Sequence, residues 1–492
     1  MVGAGAAGLM AGCAAADGGA SVTVLDHNEK AGKKIYITGK GRCNYTNACD
    51  TPDFFRHVLR NPKFLYSAVY GFDAAAMTQF LRENGCPVRE ERGQRCFPAS
   101  EKAYDVTDAL VRHLRAGGGR IRLNCGVKRI LTENAGCEPA AQESPPGRRK
   151  ADSAESMRRA VGVQLAGGKE LPADAVIVAA GGMSYPSTGS AGDGYRFARE
   201  LGLVVNEPQP SLVPLVTEEI WPASLQGLSL KNVAIRVEEF TDASAGSNSD
   251  AGTTGGNISS ERIFSAASAA AAESASDLSP KDAQAAAPDT RRRRSGMKKS
   301  GPIYEGFGEM LFTHFGVSGP LILSASCHTD FMRHPEGYLL HLDLKPAMTR
   351  EEVEMRLKRE FAAAPGKELR NVLRALLPQR LAEIAADLAA QQAGKDPSAP
   401  VRTWNEKEIR SLAGFLKDVT MHLTGTRGFG EAIITRGGVD VRQINPSTME
   451  TKSIRGLYWA GEVLDVDAYT GGFNLQIAWS TGHLAGKSAA AW

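Results

Sequence analysis

The stretch Met1-Val2-Gly3-Ala4-Gly5-Ala6-Ala7-Gly8-Leu9-Met10-Ala11-Gly12 decides how the rest of the chain is read. Gly3, Gly5 and Gly8 have the G-x-G-x-x-G spacing of a dinucleotide turn. The first glycine allows the tight turn, the second leaves room for backbone to approach a pyrophosphate, and the third lets the next helix pack closely on a sheet. Ala6 to Ala16 is small, apolar and helix-prone. A helix starting at Ala6 and Ala7 would aim its free N–H groups and positive dipole end at phosphates. Ser21 to Leu25 reads as a second strand, and Asp26 follows it where an acid should hold ribose hydroxyls, which argues against a 2′-phosphate. Only Val2 stands where several buried strand residues should precede the first glycine. Either the true start lies upstream or the central strand is truncated, which would remove ladder hydrogen bonds on both sides.

With 492 residues the chain has length for two or three domains, and its formal net charge of +3 predicts no strong polyanion preference. No apolar run is long enough to span a membrane and no secretory leader is recognisable, so a cytoplasmic protein with no membrane or nucleic-acid partner is expected. The eight cysteines are scattered without C-x-x-C pairs, which suits reduced thiols and predicts no metal site. Cys43 and Cys49 form C-x5-C, one residue longer than the spacing of flavin disulfide reductases, so Cys43 is expected as a free thiol near a cofactor.

After Asp26 come a loop containing Lys33 and Lys34, a short strand at Ile35-Tyr36-Ile37, and Thr38-Gly39-Lys40-Gly41-Arg42-Cys43-Asn44-Tyr45-Thr46-Asn47. Glycines at that density bring backbone close to something flat or phosphorylated, and Arg42 and Asn44 would supply donors beside it. Helical patterns run from Asp73 to Glu83 and from Tyr104 to Arg115, and a strand and bend containing Val127 returns to the cofactor domain. Residues 133 to 159 lose apolar periodicity and are predicted to be a disordered insertion. Ala175 to Gly182 is a fully apolar strand ending at Ala180-Gly181-Gly182, which allows close approach at the carboxyl edge of a sheet. From Pro208 short strands follow at Leu212 to Thr217, Val233 to Phe240, Glu309 to Phe312 and Tyr338 to Leu344, interrupted by residues 241 to 300. That Ala/Ser-rich interruption carries Arg291 to Arg294 and Lys298-Lys299, and reads as a solvated, disordered linker. Residues 349 to 424 are helical by period, and a strand is predicted at Glu431 to Thr435.

The chain closes with a strand at Gly456 to Ala460, Gly461-Glu462, the loop Tyr469-Thr470-Gly471-Gly472 and an Ala-rich helix opening at Phe473-Asn474-Leu475. A second helix start facing a cofactor suits a flavin, whose reduced ring carries negative charge near N1 and O2, and Glu462 is placed to accept from ribityl hydroxyls. This combination favours FAD over NAD as the tightly held dinucleotide.

Four motifs, Gly39 to Asn47, Gly189 to Tyr195, Leu311 to Pro320 and Ala460 to Gln476, together resemble the BaiN-like (aminoacetone oxidase-like) family of FAD-dependent oxidoreductases. The resemblance spans nearly the whole chain apart from residues 133 to 159 and 241 to 300. It implies an α/β fold: a Rossmann-like FAD-binding domain with a truncated first strand (1–205 and 446–492), an inserted mainly-β, barrel-like domain (206–348 and 425–445) and a helical domain (349–424). The FAD contacts expected are Gly3, Gly5, Ala6, Ala7, Gly8, Asp26, Lys34, Gly41, Arg42, Cys43, Asn44, Val127, Ala180, Gly181, Gly461, Glu462, Gly471, Gly472, Phe473, Asn474 and Leu475. Asp26 stands where a Glu is usual, and the two low-complexity insertions are additional.

The function expected is hydride transfer between flavin N5 and a small organic substrate, with electrons exchanged with NAD(P)H as a transient partner or with oxygen. His314, in Thr313-His314-Phe315-Gly316, is a candidate acid/base because histidine titrates near neutrality. Arg42, a fork for carboxylate, carbonyl or pyrophosphate, and Tyr469 are further catalytic candidates. An RNA-acting flavoprotein and a non-catalytic FAD-binding protein are the alternatives. Neither the substrate nor the oligomeric state is legible.

Overall fold

The computed structural model describes residues 1–134, 158–240 and 301–492. The predicted insertions therefore lie outside the described residues, except for Glu133, Asn134, Arg158 and Arg159, which end paired strands. Cys137 and the basic run from Arg291 to Lys299 also lie outside.

A parallel sheet carries the two ends of the chain. Its strands are, in order, Arg120–Arg122, Thr23–Leu25, the single residue Val2, Val176–Val178 and Leu457–Trp459. Val2 is a one-residue central strand. Its N–H donates to Ile177 O at 2.8 Å, its carbonyl accepts from Ala179 N at 2.8 Å, and on the other side Leu25 N donates to Met1 O at 2.9 Å. The ladder is short, yet it bonds on both sides, and Val176–Val178 and Leu457–Trp459 are buried throughout as a sheet covered on both faces requires.

Helices Ala6–Asp17 and Phe473–Ala490 pack against each other with almost no side chain between them. A Cβ at Gly482 would lie 2.4 Å from Ala7 O, and one at Gly486 would lie 2.2 Å from Ala11 O. Glycines one helical turn apart thus bring the last helix onto the backbone of the first.

The inserted region forms a closed six-stranded barrel. Leu215–Thr217, Gly316–Ser318, Tyr304–Thr313, Ser229–Glu239, Tyr338–Asp343 and Val419–Thr426 follow one another around it, and the last pairs with the first. Val419–Thr426 begins inside the range 349 to 424 expected to be helical and corrects it, because the pattern changes to alternating burial after Lys417. Helices Arg350–Ala363, Gln379–Gln392 and Glu406–Lys417 share one apolar core with the barrel. Thr349 and Asn405 open two of them with capping boxes to Glu352 and Glu408. A separate antiparallel pair, Val205–Ser211 with Ile434–Val439, leads from the barrel back to the parallel sheet.

Two expectations fail locally. Ile35 to Gly41 forms helical turns, not a strand: Ile35 N donates to Gly32 O at 2.8 Å, and Gly39 and Lys40 turn left-handed. The strand expected at Glu431 to Thr435 lies at Ile434–Val439. Gly437 and Gly438 do not end it, because Gly437 permits close approach to the partner strand, where a Cβ would meet Glu207 O at 2.4 Å.

Candidate active site

The three turn glycines divide the work. A Cβ at Gly3, whose φ is +102°, would lie 2.4 Å from Ala179 O, and one at Gly8 would lie 1.9 Å from Gly3 O. At Gly5 a Cβ would meet nothing within 4 Å. Gly5 also caps the opening helix without any side-chain hydrogen bond, so the first-turn N–H groups of Ala6 and Ala7 face the open space above it. That is the shape an anion-binding turn needs. Asp26 shapes it from below: its Oδ2 accepts from Ala4 N at 2.6 Å and its Oδ1 from Asn28 N at 2.8 Å. A carboxylate has further acceptor sites, so these bonds leave capacity for hydroxyls. The Gly189 loop closes over the same side, since a Cβ there would lie 2.3 Å from Asn28 Nδ2.

The closing helix start sits against the motif from Gly39 to Asn47. Gly471 and Gly472 have φ of +126° and +100°, and a Cβ on Gly472 would lie 2.4 Å from the carbonyl carbon of Thr46. Thr46 Oγ1 donates to Gln476 Oε1 at 2.6 Å, and Trp479 Nε1 donates to Tyr45 O at 2.9 Å. Asn44 Oδ1 is buried without a hydrogen-bond partner at this junction. An open helix start at Gly5, a second helix start at Gly472 packed on Thr46, and the orphaned amide oxygen of Asn44 in the same Gly39 to Asn47 motif fit a dinucleotide held by both ends of the chain.

Glu462 ties four segments together. Its Oε2 accepts from Lys34 Nζ at 2.7 Å, and its Oε1 accepts from Ser184 Oγ and Thr435 N, each at 2.8 Å. Lys34 also bonds Ser184. Its carboxylate therefore joins the cofactor domain to the strand leading from the barrel.

Several expected contacts are engaged elsewhere. The Arg42 guanidinium pairs with Glu91 and Glu101 and lies 4.2 Å over the Phe97 ring, because the small sheet of Val88–Glu91 and Arg95–Pro98 folds beside it. Cys43 is fully buried in an apolar cluster, where burial pushes its thiol up to about 12, and burial does the same to Cys49. All described cysteines are free. Asn474 staples its own loop, accepting from Ala468 N at 3.0 Å and donating to Ala468 O at 2.7 Å. Phe473 stacks on His57 at 4.2 Å. Leu475 and Val127 pack against apolar clusters, while Gly41, Ala180 and Gly181 border the sheet end and the Gly39 motif. His314 is exposed, because Thr313 pairs with Gly316 and leaves it on a hairpin tip.

Tyr469, by contrast, meets a polar cluster that sequence reasoning missed. His328 Nε2 lies 2.7 Å from its hydroxyl. Arg436, only 4% exposed, donates to Gln209 Oε1 and Cys327 O, and Asp467 is fully buried with Arg60 Nε 3.1 Å from its Oδ1. Burial pushes the Tyr469 phenol above its ordinary range. Burial, then Arg436 and Arg60, lower the His328 imidazole, so it is neutral at pH 7. Burial raises the Asp467 carboxyl to about 6 despite the two guanidinium groups. The signals were an Arg inside Ile433-Ile434-Thr435-Arg436 and an acid inside Val466-Asp467-Ala468, charges in apolar runs that ordinarily stay exposed.

The family model described as the HI0933-like protein Rossmann domain matches residues 1–488. The chain belongs to this HI0933-like Rossmann family. With that membership the protein is an FAD-dependent oxidoreductase. The chain is 26% identical to the ribosomal RNA dihydrouridine synthase of Escherichia coli, over 98% of this chain and 95% of that protein. It is 27% identical to the 3-dehydro-bile acid delta(4,6)-reductase of Clostridium scindens, over 100% of this chain and 98% of that protein. Among solved structures it is similar to a 3-ketosteroid-delta4-(5alpha)-dehydrogenase from Rhodococcus jostii, at 15% identity and a TM-score of 0.45, over 99% of this chain and 95% of that one. Among the described residues no helix is long and apolar enough to cross a membrane, and no group of three or more His, Cys, Asp or Glu is arranged to hold a metal ion.

Proposed function

We propose that this HI0933-like protein reduces a carbon–carbon double bond conjugated to a carbonyl, adding hydride to the β-carbon and a proton to the α-carbon. The observation that carries the reading is the 2.7 Å contact between His328 Nε2 and the Tyr469 hydroxyl, just before the Gly471-Gly472 helix start. Bound FAD supplies the hydride from N5, with NAD(P)H as the transient electron donor. Tyr469 stays protonated at neutral pH because burial raises its phenol. In the tautomer with its proton on Nε2, His328 donates to the Tyr469 oxygen and holds it in place, leaving the phenolic O–H to donate to the substrate. Arg60, with an ion pair to Asp467 on one side and partial exposure on the other, is the donor for the carbonyl oxygen as it gains negative charge.

The relatives' names support the same chemistry. Forming dihydrouridine saturates a ring double bond conjugated to a carbonyl, and a delta(4,6)-reductase acting on a 3-oxo steroid saturates a conjugated one. A small conjugated ketone is the substrate expected first. A uridine within RNA is the second reading, favoured by two rRNA dihydrouridine synthases aligned over 95% and 97% of their lengths. Free thiols at all described cysteines support a cytoplasmic setting. The test is anaerobic: flavin is reduced with NADH or NADPH, and candidate acceptors are added in turn. Reoxidation by a conjugated ketone or by a uridine oligonucleotide, with a product two hydrogens heavier, supports the reading, and reoxidation by oxygen alone overturns it.

A further inference from the structure

We infer that Asp467, beside Arg60 and near Arg436, recognises an imide edge, that is, an N–H flanked by two carbonyl groups. Both Asp467 side-chain oxygens are buried and lack hydrogen-bond partners, and the side chain is 1% exposed. The Arg60 contact at 3.1 Å is an ion pair without hydrogen-bond geometry. A buried carboxylate left in this state costs free energy, which makes an absent donor the natural explanation. Its flanks are donors. Arg60 reaches it from the segment that also pairs with the closing loop, where Leu59 N donates to Asp467 O at 2.8 Å. Arg436 commits three N–H groups to Gln209 and Cys327, and a guanidinium has five. The carboxylate supplies an acceptor and the two nearby guanidinium groups supply donors, the complement of an imide's N–H and its two carbonyls.

An isolated ketone offers no N–H, so it would leave the carboxylate unpaired. Chemistry of the required kind comes from two sources: the pyrimidine ring of a uridine substrate and the pyrimidine portion of the flavin itself. The first rests on the proposed reduction of conjugated carbonyls, whereas the second does not.

Binding distinguishes the sources without turnover. Apoprotein is titrated with FAD and with 3-methyl-FAD by flavin fluorescence, and FAD-loaded protein is titrated with oligouridylate and its 3-methyluridine counterpart by flavin difference absorbance. N-methylation is expected to weaken one of the two ligands at least tenfold, and Asp467→Asn to abolish that discrimination while the protein stays folded by circular dichroism. Discrimination against 3-methyl-FAD assigns the edge to the cofactor, and discrimination against methylated oligonucleotide assigns it to the substrate. The inference is overturned if neither methylated ligand is distinguished, or if Asp467→Asn distinguishes them as the wild type does. Failure of enone reduction with discrimination intact would sink only the proposed reaction.

Discussion

The His328 imidazole and the Tyr469 hydroxyl meet at 2.7 Å across the seam between the barrel and the closing loop of the cofactor domain. They come from segments separated by more than a hundred residues, and neither side chain has this partner within its own domain. If they work as one proton-delivering unit, Tyr469→Phe should lower turnover by about 10² to 10⁴-fold, the usual range for a lost general acid. His328→Ala should cost less, and the double variant no more than Tyr469→Phe alone. Flavin reduction by NAD(P)H should be unchanged in all three. Stopped-flow measurement of the two half-reactions checks this, and additive losses would refute the pairing.

Gly5 and Gly8 should fail in opposite ways. Gly5→Val places its side chain in open space, so the fold should keep its melting temperature while the protein purifies colourless. Gly8→Val drives a Cβ to 1.9 Å from Gly3 O and should prevent folding. Flavin absorbance and circular dichroism on the two variants separate these outcomes.

Glu462→Ala should do more than loosen the flavin. Lys34, Ser184 and the Thr435 N–H lose their acceptor together, and buried groups left unpaired cost about 1 to 3 kcal/mol. Urea unfolding should therefore show a lower midpoint even in apoprotein. An unchanged apoprotein midpoint with weaker flavin binding would instead mean that the carboxylate serves the cofactor alone.

These variants also show what the sequence made legible. The glycine turn, the second strand with Asp26 and the closing Gly471-Gly472 helix start were readable because each is a local pattern with a backbone reason. Gly482 and Gly486 were not, since glycines within a helix-prone run look like poor helix formers until the helix that presses on them is known. His314 stood in a conspicuous motif and lies on an exposed hairpin tip, while His328, in the plain stretch Ser326-Cys327-His328-Thr329, meets Tyr469. Only the closure of the barrel onto the cofactor domain brings that histidine, Arg436 and Asp467 together.

Asp467 makes stability depend on pH with a definite sign. Its folded value of about 6 lies above the ordinary 3.8, so the native state binds the extra proton and stability falls as pH rises from about 4 through 6. The loss is about 2 to 3 kcal/mol for a fully buried group. Asp467→Asn should be more stable than wild type by about that amount at pH 8 and nearly equal at pH 4, as read by urea unfolding at both values. Equal midpoints at pH 8 would show that the buried charge carries no penalty.

The most direct test of conjugated-carbonyl reduction is anaerobic reoxidation of the NAD(P)H-reduced flavin by acceptors of that class, a conjugated ketone and a uridine oligonucleotide, in wild type and Tyr469→Phe. The account predicts that at least one acceptor restores the oxidised flavin spectrum in the wild type while gaining two hydrogens, and that the phenylalanine variant is slower by about 10²-fold or more. A flavin that stays reduced with both acceptors, or a variant that reoxidises at the wild-type rate, would contradict it.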